Sequence, residues 1–180
     1  QKLLAIDTET GGLSPEKHSL LTIGMIFVVF KDKKYEIVEE LHILIKHEKY
    51  SVEKQAQEVH KISIEEHDKI ALPIIEAKLK IKEFMTRHKL FDTNVCGQNI
   101  IFDVGFLKKL YDEKEYPFHY HYVDTKNIWC YLKLQEKIPY CLGNSLKYMA
   151  NYFGIDYNKA HDAIEDCKIT IQVLEKMLKL

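Results

Sequence analysis

The sequence predicts an α/β fold, a three-layer domain in which helices flank a central mixed sheet with an antiparallel hairpin at one edge and parallel strands beside it. Three observations carry this expectation. Apolar runs with strand-like spacing interleave with stretches of helical spacing along the whole chain. Two of the strand-like runs follow one another across a short polar break, which is hairpin patterning. The 180 residues, 46% hydrophobic and 29% charged, suit one domain over residues 1–180, with a core large enough to need no disulfide or metal staple.

Taken in order, Leu3-Leu4-Ala5-Ile6 reads as a strand that runs out into Asp7-Thr8-Glu9-Thr10 and the turn chemistry of Gly11-Gly12. Leu20 to Phe30 is β-branched and aromatic, and Lys31-Asp32-Lys33-Lys34 breaks it. Tyr35, Ile37, Leu41, Ile43 and Ile45 then recur at period two, so the hairpin is expected beside the first strand. Residues 53–60 read as a short helix, and Pro73 opens another whose stripe is Ile74, Ala77, Ile81 and Phe84. Thr93 to Gly97 is a short strand. Asn99 to Tyr111 reads as a helix with Phe102, Phe106 and Leu110 on one side. Tyr116, Phe118, Tyr120 and Tyr122 alternate, which predicts a strand ending at Asp124. Aromatics also build stacking platforms for bases, but period-two aromatics are ordinary strand composition. His119 and His121 lie in the same stretch, and no third ligand follows at zinc spacing. Residues 125–134 read as a helix and 135–144 as a loop. Leu146, Met149, Ala150 and Phe153 follow helical spacing and close on Gly154. The last helix, about 162–178, buries Ile164, Cys167, Ile171, Leu174 and Leu178, and no repeat, low-complexity tract or linker interrupts the chain.

The formal net charge of -1 hides an asymmetry of type, because 25 of the 26 basic residues are Lys and Arg87 is the one arginine. Bidentate guanine reading and tight nonspecific binding to duplex are both disfavoured, while point-charge phosphate contacts remain open. Cys96, Cys130, Cys141 and Cys167 form neither a C-x-x-C pair nor a dense framework, which points to reduced thiols in a cytoplasmic protein. The run Leu20–Phe30 is too short to cross a bilayer as a helix, no signal peptide is visible, and no membrane partner is expected. A chain that begins at Gln1 reads as trimmed or processed.

Three acidic groups stand out. In an extended strand Asp7 and Glu9, two apart, project from one side. Close carboxylates raise each other's pKa unless a cation lies between them, and paired hard oxygen ligands suit Mg²⁺ or Mn²⁺. A strand ending in a polar turn would account for this tetrapeptide alone. Asp103 sits mid-helix among Ile101, Phe102, Val104, Phe106 and Leu107, where a charge needs a partner, and the start of its helix lies at the carboxyl edge of the sheet. Asn99, one turn earlier on the same face, could hold a water or a phosphate. The plainer reading of Asp103 is a solvated carboxylate beside Lys108 and Lys109. Finally, His161 and Asp166, five apart, diverge by about 140° on a continuous helix. They can face one site if Asp162, with Glu165 three later, caps the helix and leaves His161 in the entry loop. There His161 suits a general base beside a metal-bound water.

Together, Asp7-x-Glu9, Asn99-x-x-x-Asp103 and His161-x-x-x-x-Asp166 resemble the three motifs of the DnaQ-like, or DEDDh, 3'-5' exonuclease family. The resemblance extends to Ala56-x-x-Val59-His60-x-Ile62, to Val123-Asp124-Thr125 and to Leu146 through Ile155. It implies a ribonuclease H-like fold and two divalent ions, Mg²⁺ or Mn²⁺. Asp7, Glu9 and Asp166 would ligate them directly, Asp103 partly through water, and His161 would deprotonate the attacking water. The four carboxylates and His161 form the expected catalytic set. The family also implies that Leu13 packs on the terminal bases, that the backbone of Thr10 and Gly11 lies near the 3' hydroxyl, and that Val59 and His60 fall near the nucleotide pocket. Asn99 and Phe102 complete the expected substrate-binding set. Gly11 and Gln98 depart from the family pattern, which often has Thr and His there.

The expected activity is removal of nucleoside 5'-monophosphates from the 3' ends of single-stranded nucleic acid, DNA in preference. The alternatives are an RNA or oligoribonucleotide trimmer and, from another class, a catalytically silent single-strand-binding module. The resemblance includes the epsilon proofreading subunit of bacterial DNA polymerase III, so a DNA polymerase subunit is a second expected partner besides single-stranded 3' ends. The last helix ends at Leu180, and the expectation is that no polymerase-binding tail follows, which favours a stand-alone enzyme or a domain of a longer protein.

Overall fold

Alternation along the first strand sets the architecture. Strand β1 (Lys2–Thr10) sends Leu4 and Ile6 to one face of a sheet and Leu3 and Ala5 to the other, and both faces are covered. The computed structural model describes residues 1–111, 114–158 and 160–180, and among these the chain forms five strands and seven helices.

Strand β2 (Leu20–Lys31) is buried along nearly its whole length and runs antiparallel to β1, from Lys2↔Val29 to Thr10↔Leu20. Strand β3 (Lys34–Leu44) pairs antiparallel on its other side. Asp32 and Lys33 carry positive φ at the tip (52° and 59°), the primed geometry that matches strand twist in two-residue hairpins. Beyond β1, β4 (Val95–Gly97) and β5 (Tyr122–Asp124) add in parallel, giving the order β3-β2-β1-β4-β5. The mixed sheet flanked by helices, with its hairpin edge, is the expected ribonuclease H-like arrangement.

Helices α1 (Lys54–His60) and α2 (Ile64–Ile70) follow the hairpin. Helix α3 (Ile74–His88) packs Ala77, Ile81 and Phe84, and α4 (Ile101–Leu110) packs Val104, Phe106 and Leu107, against Leu4, Ile6 and Met25. The opposite face takes α7 (Ala163–Met177) through Ile164, Cys167, Ile171 and Leu174. Helices α5 (Thr125–Leu134) and α6 (Leu146–Phe153) lean on the outer side of α7 through Trp129, Met149 and Val173. Gly24 on β2 lets α7 start directly on the sheet, since a Cβ there would meet the Ala163 carbonyl at 2.5 Å. Among the described residues no helix is long and apolar enough to cross a membrane.

The structure corrects three expectations and adds one element. The strand expected from Tyr116 shrinks to Tyr122–Asp124, because β4 offers three residues to pair with and Pro117 brings no N–H to a ladder. Tyr116 and Phe118 turn into the core with Tyr111 instead, their rings edge to face at 5.4 Å from each other. Helix α4 begins at Ile101 rather than Asn99, which stands outside it at φ 58°. Asp103 therefore lies in a first helical turn, not mid-helix. Helix α2, capped by the Ser63 hydroxyl accepting from the Glu66 N–H, had no expectation at all, although Ser63 with Glu66 three later is a helix-start signature.

Candidate active site

At the end of β1 the pleat turns Asp7 and Glu9 to the same face, and α7 meets them with Asp166 from its first turn. One oxygen from each of the three lies within 4.8 Å of the others. The helix start is fixed as its sequence predicts. The Asp162 carboxylate accepts from the N–H groups of Ile164 (3.1 Å) and Glu165 (3.2 Å), and His161 stays outside the helix at φ 73°. Asp166 Oδ2 accepts from the His161 N–H at 3.2 Å, while its Oδ1 is buried without a hydrogen-bond partner among the described residues.

Asp103 joins from the far side of β1. It is 3% exposed, and its Oδ1 accepts a hydrogen bond of 2.7 Å from the Thr8 hydroxyl. Its backbone setting is fixed by Asp124, which caps α5 through the Lys126 N–H and also accepts from the Asn99 N–H at 2.9 Å, pinning the loop that leads into α4.

The electrostatics are those of crowded carboxylates. Burial, and then the charges of Asp103, Asp166 and Glu9, hold the Asp7 carboxyl well above its ordinary range. Burial followed by Asp166 raises Glu9 to about 8. Burial also lifts Asp103 to about 7 against the Thr8 hydrogen bond, and Asp166 to about 6 against the His161 N–H. Among the described residues no Lys or Arg forms an ion pair with any of the four. Hard oxygen donors, an orphaned buried oxygen and uncompensated repulsion together fit divalent cations.

His161 is exposed, with its ring edge-on to Tyr157 at 6.0 Å. It borders a recess of about 380 Å³ that Glu9, Thr22, His60, His67 and Asp162 also line. Two histidines there have their tautomers set by the backbone. His60 Nδ1 accepts from the Ile62 N–H, so the neutral ring carries its proton on Nε2, and that nitrogen has no partner among the described residues. His67 Nε2 donates to the Ile45 carbonyl, leaving its unpartnered Nδ1 as an acceptor. Burial, with His67 and His161 nearby, pushes the His60 pKa down.

The remaining expected substrate residues are more dispersed. Leu13 is 81% and Val59 51% exposed, both apolar side chains standing in solvent. The Thr10 hydroxyl donates to the Gly12 carbonyl at 2.8 Å. Gly11 has committed both backbone groups, its N–H to Ser19 and its carbonyl to the Glu53 N–H, and a Cβ there would strike the Ser51 carbonyl oxygen at 2.0 Å. Phe102 rests on Phe106, with ring centroids 5.2 Å apart. Asn99 Oδ1 accepts from the Lys126 ammonium, and Gln98 donates to the Asn144 carbonyl. Sequence reasoning missed Thr8, Gly24, Tyr157 and the pair Thr22 and His67. Of these, Gly24 had a signal, a glycine inside an apolar strand.

A family model described as RNase_T, exonuclease, matches residues 4–174. Among curated proteins no sequence matches significantly. Solved structures do. Escherichia coli exonuclease I in complex with a dT13 oligonucleotide superposes with a TM-score of 0.76 at 20% identity, covering 98% of this chain and 40% of that one. The zinc-bound form of the Escherichia coli exonuclease I–single-stranded DNA complex matches at 0.76 and 21%, covering 97% and 40%. The nuclease domain of 3'hExo, a DEDDh family member bound to rAMP, matches at 0.78 and 16%, covering 99% and 92%. The chain thus spans about 40% of the length of the exonuclease I chains it resembles.

Proposed function

Because this chain belongs to the RNase_T exonuclease family, we propose that it is a metal-dependent 3'-5' exonuclease acting on the 3' ends of single-stranded nucleic acid, with residues 1–180 forming one catalytic domain. The observation that carries the proposal is the meeting of Asp7, Glu9 and Asp166 oxygens within 4.8 Å, with no cationic side chain to offset them among the described residues. Divalent metals are typical of the family. Asp7, Glu9 and Asp166 would hold two ions, Mg²⁺ or Mn²⁺, with Asp103 supporting one of them. Such ions, when bound, polarise the phosphodiester and lower the pKa of the attacking water.

The residues of the chain do the rest. His161, exposed and outside the helix, accepts the proton of the attacking water at a ring nitrogen and releases it to solvent. Tyr157 stands edge-on to that ring. In this reading Leu13 and Val59, both exposed, would meet the terminal base, and Asn99, Phe102 and His60 would complete the substrate-binding set. The Thr10 and Gly11 segment lines the approach to the 3' hydroxyl.

Single-stranded DNA is the preferred substrate of this reading, in keeping with the oligonucleotides held by exonuclease I. RNA is the second, favoured by the rAMP held by 3'hExo, a nucleoside monophosphate of the kind such a reaction releases. A proofreading role beside a DNA polymerase subunit and a cytoplasmic setting accompany the first reading.

The test is a time course on 5'-labelled single-stranded DNA and RNA of one sequence in Mg²⁺, Mn²⁺ or EDTA. A metal-dependent ladder shortening from the 3' end is expected, and the ratio of the DNA and RNA rates chooses between the substrates. His161→Ala should bind Mn²⁺ yet lose about a hundredfold to ten-thousandfold in kcat. Full activity in EDTA removes the metal reading, and normal cleavage by the alanine variant removes the general base. If neither polymer shortens in either metal, the silent binding module takes the place of the enzyme.

A further inference from the structure

Between Asp7 and Glu9 the pleat sends Thr8 to the other face of β1, at the stretch where the edge of β1 towards β4 is unpaired. Strand β4 pairs with β1 at Leu4 and Ala5 only, so past Ala5 that side of β1 has no strand partner among the described residues. Helix α4, which follows β4, brings Asp103 to this stretch. Thr8 is 7% exposed, and its hydroxyl reaches Asp103 Oδ1 at 2.7 Å. The distance is the usual one for a well-formed hydrogen bond from a hydroxyl. The bond has a geometric consequence. Together with the backbone N–H groups of Thr8 and Asp103, which act on the same carboxylate, the hydroxyl restrains rotation of the carboxylate plane about χ2.

Resting on the exonuclease reading above, we propose that Thr8 is a positioning residue for Asp103: its hydroxyl sets which rotamer of that carboxylate the metal site receives. Outer partners that orient metal-ligating carboxylates are worth a large part of site affinity even though they touch neither metal nor substrate. The strand makes Thr8 a rigid anchor, since its backbone is held in the β1–β2 ladder opposite Ile23, and a β-branched side chain has little χ1 freedom. A sequence motif read for its two acids passes over the residue between them, yet here that residue ties the β1 acids to the α4 acid.

The experiment compares Thr8→Val, Thr8→Ser and Thr8→Ala in the full chain, with two readouts. One is Mn²⁺ affinity by calorimetry, and the other is kcat and KM on a labelled single strand. Thr8→Val keeps the shape and removes the donor, so Mn²⁺ affinity and kcat should each fall about tenfold to a hundredfold, with KM unchanged. Thr8→Ser should recover most of both, and Thr8→Ala should behave as the valine. Wild-type Mn²⁺ affinity and kcat in Thr8→Val would overturn the proposal. Should the valine variant fold poorly by its thermal midpoint in EDTA, the serine and alanine pair decides, because they differ by the hydroxyl alone, and equal behaviour overturns it. If the wild-type chain shortens no polymer, the exonuclease reading fails, and the Mn²⁺ titration still judges Thr8.

Discussion

The two faces of β1 begin alike and end differently. Leu3 and Ala5 lie under α7 and Leu4 and Ile6 under α3 and α4, all of them buried. Past Ile6 one face turns to Asp7 and Glu9 and the other to Thr8 and Thr10. The hydroxyl face is self-sufficient, with Thr8 donating to Asp103 and Thr10 to the Gly12 carbonyl. The carboxylate face meets a third carboxylate from α7, and its repulsion is left for an ion to relieve. One strand thus supplies a satisfied wall and a strained one a few ångströms apart. On the proposed function, a cation bound at the strained face would add stability to the fold.

The sharpest way to break the contrast is Asp7→Asn, which removes one charge at nearly constant shape. Turnover should drop by about a thousandfold or more, as the several kcal/mol of charge stabilisation from bound metal is lost. Thermal stability in EDTA at pH 8 should instead rise. The sign follows from the raised carboxyls. Glu9 titrates at about 8 in the fold against 4.5 ordinarily. Between those values the unfolded chain has released a proton that the folded chain still holds, so stability present at low pH is lost as pH rises towards 8. Wild-type protein in EDTA should therefore melt at lower temperature as pH goes from about 5 to about 8, and Asp7→Asn should flatten the slope. Saturating Mn²⁺ should reverse the trend, because ligands bind deprotonated. A wild-type midpoint in EDTA that climbs over that range would show the carboxylates to be relieved already, and the contrast would collapse.

Gly24→Ala tests how the carboxylate face is assembled. Gly24 pairs with Asp7 and lies under the first residues of α7, and a Cβ there would sit 2.5 Å from backbone atoms of Ala163 and 2.8 Å from the Ile164 nitrogen. Backbone cannot step aside as a flexible side chain can, so the helix start must lift. The expected cost is about 1 to 3 kcal/mol by chemical denaturation, together with weaker Mn²⁺ binding as Asp166 leaves its partners. Unchanged Mn²⁺ affinity would mean that Asp166 is positioned by its cap alone.

The sequence carried the hairpin and helices α1, α3, α5, α6 and α7, because period, caps and strand pleat are local properties, whereas the placing of Asp166 beside Asp7 and Glu9 was implied by the resemblance to the exonuclease motifs. The Asp162 cap is a clear instance. Its two N–H contacts follow from an acidic residue just ahead of an apolar stripe, and they free His161 from the helix as the spacing required. Long-range facts were not legible. The alternation of Tyr116, Phe118, Tyr120 and Tyr122 looks like a strand until the three-residue partner β4 is known. The left-handed turn at Asn99 depends on Asp124, 25 residues away in sequence, holding its N–H. Thr8 finds Asp103 across 95 residues, and they meet where the edge of β1 towards β4 is unpaired. The RNase_T match and the folds of exonuclease I and 3'hExo agree with the family and topology expected from the motifs.

The smallest effect bears on the satisfied face. Thr10 is 8% exposed, and its hydroxyl closes the turn after β1 by donating to Gly12. Thr10→Val keeps the β-branched shape and leaves one carbonyl oxygen without its donor, so stability should fall by about 1 kcal/mol. Mn²⁺ affinity should stay at the wild-type value, since the Thr10 hydroxyl is bonded to the Gly12 carbonyl rather than to a carboxylate. Calorimetry and a denaturant melt on the same sample separate the two effects. If Thr10→Val weakened Mn²⁺ binding as strongly as Gly24→Ala, the wall would not be independent of the charged face. The division of β1 into a satisfied and a strained side would then describe its static contacts but not its energetics.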